Sequence, residues 1–291
     1  MNKTIKRKTC VITGATSGIG YATAKGLAAK NFELILIGRD DQKGKSVVES
    51  LKKLTSNNFI TYYNIDLGSQ KQIRKSGEEL KNKHPEIDIL INNAGVWTSR
   101  YELTDDKVEK QFAVNHLAYF LLTHLLYPNI AKSKNGRIIN LGSDSHKFGK
   151  INFDDLNLEG AYHGLKAYGQ SKLANLLFTY ELQRLKKDDH VSVYCVQPGL
   201  VKTDIGVKHT NPFHSLMWKL RRLSGMTPDQ AASTAIYLAT SDEVAKQSGL
   251  YWENSKPKPS SARSKNAADA SRLWKKSEEL CGICNYFGQV L

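Results

Sequence analysis

Seven short apolar runs, at 9–13, 33–38, 59–65, 87–91, 137–141, 191–197 and 249–252, punctuate the chain. Between them lie longer stretches whose apolar residues recur every three or four positions. These predict a helix from the turn at Gly14 to about 30, then helices at 42–55, 70–84, 104–127, from Tyr168 through Leu185, and at 228–239 and 267–280. Continuous apolar strands alternating with helices mark a parallel sheet covered on both faces. The pattern therefore predicts an α/β fold: a single doubly wound Rossmann-type domain with a parallel sheet of about seven strands flanked by helices. No internal repeat interrupts it, and no Pro/Gly/Ser-rich linker divides the chain before 255, which favours one domain over two. A C-terminal extension begins at about 253, and its stretch 256–265 has the composition of an exposed, mobile loop.

Candidate chemistry gathers where the predicted strands end, the edge at which open parallel sheets bind ligands. After the first strand comes Gly14-Ala15-Thr16-Ser17-Gly18-Ile19-Gly20. Its glycine spacing is not G-x-G-x-x-G, but the physics is shared: glycines admit a pyrophosphate to the backbone, and a helix N-terminus meets its charge. The second strand ends in Gly38-Arg39. A carboxylate there would accept from both ribose hydroxyls, whereas an arginine suits a 2′-phosphate, so NADP(H) is expected ahead of NAD(H). Asp40 and Asp41 nearby argue the other way. Asp66, followed by Leu67, could accept from an adenine amino group or cap the next segment. Asn92-Asn93-Ala94-Gly95 either leaves room for a cofactor or simply makes a turn.

Asn115 interrupts an apolar stripe, and a buried amide needs partners: it ties its helix to a strand or belongs to a polar site. Ser143 lies two residues past the fifth strand, where a substrate carbonyl could be met. Tyr168 and Lys172 stand four apart at the start of a helix, so they share a face with Cβ atoms roughly 5–6 Å apart. A fixed cation at that range favours the phenolate and fits the tyrosine for acid–base work. Between Ser143 and Tyr168, Phe148, Phe153, Tyr162 and His163 could wall a pocket; His163 is a second proton donor or a bystander. Pro198-Gly199-Leu200-Val201-Lys202-Thr203 follows the sixth strand. The stretch 211–223, with Phe213, Met217 and Trp218, is a basic amphipathic helix: a substrate lid spanning about 205–225, a membrane-surface contact, or ordinary packing. Trp97, Phe148, Leu200, Phe213 and Trp218, with His163, are the substrate-facing candidates, and they favour an apolar carbonyl compound or alcohol.

A formal charge of +14 raises the local concentration of anions, but the lysines are scattered and no nucleic-acid motif accompanies them. A solvated basic surface is expected, with no nucleic-acid partner. Four cysteines are too few for a disulfide scaffold, which fits a reduced, cytoplasmic setting. Cys281-Gly-Ile-Cys284 has half-zinc or redox spacing without a second pair, so no metal is expected. No window approaches the roughly 18 apolar residues of a membrane span, and a soluble protein is expected.

Thr13-Gly-x-x-x-Gly18-Ile-Gly20, Asn92-Asn-Ala-Gly95, Asn115, Ser143, Tyr168-x-x-x-Lys172 and Pro198-Gly199 occur in that order. With them the chain resembles the short-chain dehydrogenase/reductase family over about 9–280. It is most similar to the retinol dehydrogenase group, on Val114-Asn-His-Leu117, Phe120-Leu-Leu-Thr-His-Leu125, the 168–178 stretch YGQSKLANLLF and Arg272-Leu-Trp274. The interval from Ser143 to Tyr168 also suits that group. Two departures stand out: the N-terminal anchor of membrane-bound relatives is missing, which weakens the expectation of a membrane-embedded retinoid, and Gly142 stands where the group usually has another serine.

The resemblance implies hydride transfer between NADP(H) and a carbonyl or alcohol. Tyr168 would be the general acid/base and Ser143 a small oxyanion site. Lys172 would bind the nicotinamide ribose and tune the tyrosine, and Asn115 would hold a proton-relaying water. Gly14, Thr16, Ser17, Gly18, Ile19, Gly20, Arg39, Asp66, Leu67, Asn93, Ala94 and Gly95 would line the cofactor. Tyr168, Lys172, Pro198, Gly199, Val201 and Thr203 would complete that lining, the last segment binding the carboxamide. Family members often pair through helices flanking the sheet, so a homodimer is an expectation. The competing class is a dinucleotide-binding sensor or interaction protein that has lost turnover.

Overall fold

The computed structural model describes residues 7–201, 225–245 and 247–288. The predicted alternation is realised as β1 (Thr9–Thr13), α1 (Gly18–Ala28), β2 (Glu33–Gly38), α2 (Asp41–Thr55), β3 (Ile60–Asn64), α3 (Gln70–Lys83) and β4 (Ile89–Asn92). After β4 come α4 (Lys110–Phe112), a π-helical turn (Ala113–Leu117), α5 (Ala118–Ile130), β5 (Arg137–Leu141), α6 (Gly164–Leu185) and β6 (Ser192–Val196). The chain closes with α7 (Pro228–Thr240), β7 (Leu250–Glu253), β8 (Lys256–Pro257) and α8 (Ala267–Cys281). The strands form one sheet in the order β3-β2-β1-β4-β5-β6-β7-β8, parallel from β3 to β7. Strand order reverses between β1 and β4, successive strands being added outward on either side, which opens the crevice at which such sheets bind nucleotides.

Alternate residues of each central strand serve different cores. Val11, Ile35, Leu90, Ile138 and Val193 face a layer with α5, α6 and α8; Ile12, Leu36, Ile91, Ile139 and Val196 face one with α1 and α7. Burial on both faces explains why the strands are apolar without alternation. Helix α5 is buried almost all round because the C-terminal segment covers its outer side. Phe120 meets Trp274 at 5.1 Å and Tyr286 at 4.6 Å between ring centroids, and the Tyr286 hydroxyl donates to the Phe120 carbonyl at 2.9 Å.

The sheet is the expected one with a short addition at its edge, and two other expectations need correction. The sheet has an eighth strand, β8, antiparallel to β7 and only two residues long, too short to leave a periodic trace. The helix expected from 104 starts at Lys110, because the buried Glu109 carboxylate caps it by accepting from Gln111 N and Phe112 N while Lys107 sits at φ +60°. The stretch 256–265 is tied down: Ser264 is buried, and Lys258 bonds both Asp144 and Glu253 at 2.9 Å. The expected lid helix at 211–223 lies outside the described residues.

Candidate active site

The turn after β1 is built for close approach. Gly14 (φ +65°) and Gly18 (φ +55°) take the left-handed backbone that favours glycine, and a Cβ on Gly20 would lie 2.2 Å from the Gly14 carbonyl oxygen. Ser17 caps α1 without a side-chain bond, and no acidic residue occupies the first turn. The amide groups and positive dipole end of α1 thus stay open to an anion. Across the switch point, Thr13 Oγ1 accepts from Asn93 N and Ala94 N, both at 2.9 Å. Asn93 Nδ2 returns the link by donating to the Thr13 carbonyl at 2.8 Å. This cradle fits a dinucleotide pyrophosphate.

At the end of β2, Gly38 abuts the Thr16 methyl, where a Cβ would come within 3.1 Å, and Arg39 is exposed. The two nearby carboxylates are engaged elsewhere: Asp40 accepts from Lys43 N at 3.0 Å, and Asp41 pairs with Lys45 at 2.6 Å. Asp66 Oδ1 accepts from Gly68 N at 2.9 Å in the turn ahead of α3, and Leu67 belongs to the core.

Asn115 sits in the π-helical turn, a distortion often found at functional sites. Its Oδ1 accepts from Val96 N at 2.7 Å, and its Nδ2 donates to Val96 O and Ser171 Oγ, each at 3.0 Å. The amide therefore ties the helix to the chain leaving β4, one of the two roles its sequence context allows. Ser171 Oγ donates in turn to the Tyr168 carbonyl at 2.9 Å. Tyr168 and Lys172 share a face of α6, with Lys172 Nζ 5.7 Å from the Tyr168 ring centroid and 6.0 Å from that of Tyr119. Lys172 is buried and donates to the Leu141 carbonyl at 2.9 Å; burial pulls its pKa down to about 8. Ser143 follows Leu141 by two residues, and its Oγ accepts from Ser145 N at 3.1 Å. The Ser143 loop lies against α6 beside Tyr168: a Cβ on Gly149 would come within 2.2 Å of the Gly169 carbonyl.

The remaining candidates separate. Gly95 follows the Asn93–Ala94 turn, and Pro198, Gly199 (φ +81°), Leu200 and Val201 follow β6. Val201 is bridged to Met226, whose N donates to Leu200 O at 2.7 Å. Phe148 is 58% exposed, while Trp97 is buried. His163 is an exposed cap, its Nδ1 accepting from Leu165 N at 3.3 Å. Thr203, Phe213 and Trp218 lie outside the described residues. Cys281 is buried and Cys284 exposed, both free, and the described residues contain no cluster of three His, Cys, Asp or Glu able to hold a metal. Sequence reasoning missed Thr13, which clamps the switch point, and His146, buried beneath Ser143. Thr13 could have been found as the last residue of its strand; His146 gives no local signal.

A glycine cradle at a topological switch point, with a tyrosine, lysine and serine beside the same crevice, defines a dinucleotide-binding oxidoreductase architecture. The family model described as short chain dehydrogenase matches residues 8–212. Mouse retinol dehydrogenase 12 is 38% identical over 97% of this chain and 89% of its own length. Human polyprenol dehydrogenase is 38% identical over 95% and 86%. A crystal structure of an uncharacterized protein from Mycobacterium Paratuberculosis superposes with TM-score 0.76 at 32% identity, covering 94% of this chain and 93% of that one. A short chain dehydrogenase from Escherichia coli CFT073 complexed with NADPH shares the fold at TM-score 0.70 and 20% identity, covering 86% and 97%. The chain belongs to the short-chain dehydrogenase family and is retinol dehydrogenase-like. It is accordingly an oxidoreductase with a nicotinamide dinucleotide-binding fold. No described helix is long and apolar enough to cross a membrane.

Proposed function

We propose that this protein is an NADP(H)-dependent oxidoreductase that interconverts an apolar aldehyde or ketone and its alcohol, with Tyr168 as general acid/base. The observation that carries this reading is the Lys172 ammonium 5.7 Å from the Tyr168 ring, on the helix against which the Ser143 loop packs. A bound nicotinamide dinucleotide supplies or accepts the hydride. In reduction, the Tyr168 hydroxyl gives its proton to the carbonyl oxygen. Ser143, whose Oγ already accepts from Ser145 N, donates its own proton in a hydrogen bond to that oxygen and stabilises developing charge. Lys172 supplies positive charge beside the phenolate left behind. One of its three donors goes to Leu141 O, and the others serve ribose hydroxyls. Both amide protons of Asn115 are committed, so a relaying water would bond to this residue only through one of its acceptors.

Arg39 supports the preference for the 2′-phosphate, since Asp40 and Asp41 are turned to Lys43 N and Lys45. The names of the relatives, retinol dehydrogenase and polyprenol dehydrogenase, point to isoprenoid alcohols and their aldehydes as the first substrates to try. A reducing, cytoplasmic setting is consistent with the free thiols of Cys10, Cys195, Cys281 and Cys284.

The test is absorbance at 340 nm with purified protein, NADPH or NADH, and a panel running from short aldehydes to retinal. Consumption faster with NADPH supports the reading. Tight NADPH binding without consumption across the panel would replace it with the sensor alternative.

A further inference from the structure

The loop after Ser143 is held at three points by the chain beyond β6, much of it the stretch whose composition reads as a free loop. Tyr251 Oη and Lys258 Nζ donate to Asp144 at 3.1 and 2.9 Å, and Ser261 N donates to His146 Nε2 at 3.1 Å. Arg263 Nη1 donates to the Gly149 carbonyl at 3.2 Å. This strap is itself anchored on α6, where the Tyr180 hydroxyl donates to Ser260 Oγ at 2.7 Å.

His146 is the inner link. It is fully buried, and its ring stands edge-on to Tyr251 with centroids 5.2 Å apart. A backbone N–H can only donate, so Nε2 is an acceptor and the ring proton resides on Nδ1. Nδ1–H then points at the Ser143 carbonyl at 2.7 Å, which also accepts from His146 N at 3.0 Å. A second ring proton would confront the Ser261 N–H, which agrees with the lowered pKa that burial imposes. Ser143 is thereby gripped twice: its carbonyl by His146 and its Oγ by Ser145 N. The hydroxyl proton is left with a restricted range of directions.

We infer that His146 is a positioning residue, through which the C-terminal strap sets the direction of the Ser143 hydroxyl. The inference rests on the reading of Ser143 as the group that holds the reacting oxygen. Small displacements of such a group are costly, a 1 Å error being worth up to about a hundredfold in rate.

The test is a set of double-mutant cycles with Ser143→Ala, read as kcat and as KM for NADPH. His146→Asn keeps a donor where Nδ1 stands; His146→Gln and His146→Leu do not. The Asn variant should stay within about threefold of wild-type kcat and the Gln and Leu variants should lose about tenfold, with KM for NADPH unchanged. In the Ser143→Ala background neither Gln nor Leu should cost anything further. Arg263→Ala, an exposed change that folding should tolerate, releases the far end of the loop. It should lower kcat about twofold to fivefold only when Ser143 is present.

Equal losses for Asn and Gln, losses that persist without Ser143, or an Arg263→Ala enzyme with full kcat would each overturn the inference. The Arg263 arm decides alone if the His146 variants do not fold. Should Ser143→Ala leave turnover unchanged, or the wild type consume no NADPH, the functional reading itself falls and this inference with it. A Ser143→Ala loss without a His146 effect sinks the inference alone.

Discussion

The ammonium of Lys172 donates to the carbonyl oxygen of Leu141 at 2.9 Å, so the helix carrying Tyr168 is pinned to the end of the strand that delivers Ser143. That bond places a charge where burial opposes it, and burial draws the lysine pKa from 10.5 to about 8, with the smaller influence of Cys195 acting upward. Between those values the unfolded chain binds the extra proton, so this group makes stability rise with pH; below about 8 both states are charged and the burial cost is fully present. Lys172→Met should therefore stabilise the protein at pH 7 by up to about 3 kcal/mol while abolishing turnover. Urea unfolding of both proteins at pH 7 and pH 10 checks this. A gap that fails to shrink at the higher pH refutes the electrostatic account.

Tyr168→Phe removes only the hydroxyl from that arrangement. Turnover should fall by roughly 10²–10⁴-fold. Affinity for NADPH, followed by fluorescence titration, should change by less than about twofold, because the phenol's work is done on the reacting oxygen. Retained turnover would return the tyrosine to a packing role.

These two residues were legible in the chain because their relationship is local: four positions on one helix bring them together whatever else the protein does. The parallel sheet was legible for a similar reason, since Val11, Ile12, Ile35 and Leu36 are apolar on both faces. The start of α4 was not, because apolar spacing runs straight through Glu109, whose capping role depends on burial. His146 was not legible either. Its meaning depends on Ser261, which is 115 residues away and lies in a stretch whose composition signals an exposed, mobile loop rather than a strap. Asn115 was half legible: an amide in an apolar stripe announces a partner, but nothing local says that the partner is the backbone of Val96.

Arg39 offers a test of cofactor choice at a position that packing does not dictate. Its side chain is exposed just past β2, with the adjacent carboxylates turned to other partners. Arg39→Ala should raise the KM for NADPH by about tenfold and leave that for NADH within about twofold. Steady-state kinetics with both cofactors decide it. Equal effects on the two would make Arg39 a solvated surface residue.

Gly142 departs from the serine expected at its position, and its surroundings give a reason. A Cβ there would lie 2.7 Å from Cys195 Sγ, 3.3 Å from Leu176 Cδ1 and 3.4 Å from Tyr251 Cε2. Gly142→Ser should cost about 1–3 kcal/mol of stability as overpacking. Adding Cys195→Ala should recover at least about half of that, a coupling that distant sites would not produce. Thermal melts of the single and double variants measure it. Strict additivity would mean that Leu176 or Tyr251, not the thiol, bears the clash.

The buried histidines should make the fold acid-sensitive, and His116 most of all. It is fully buried beside Asn115, its Nε2 lies 2.9 Å from Ser277 Oγ on α8, and burial lowers its pKa from 6.5 to about 3. Above pH 6.5 both folded and unfolded chains hold it neutral. As pH falls below that, the unfolded chain takes up the proton first, so stability is lost progressively until the folded-state pKa near 3 is reached. His116→Gln keeps a polar partner for Ser277 without a titrating group. The unfolding free energy of wild type should therefore fall more steeply than that of the variant, by about 1.4 kcal/mol per pH unit between pH 5.5 and 4. Carboxylates common to both proteins cancel in this difference, and denaturant melts across the range supply it. Parallel acid profiles would show that the α8 contact opens before the global transition and lets His116 titrate in solvent.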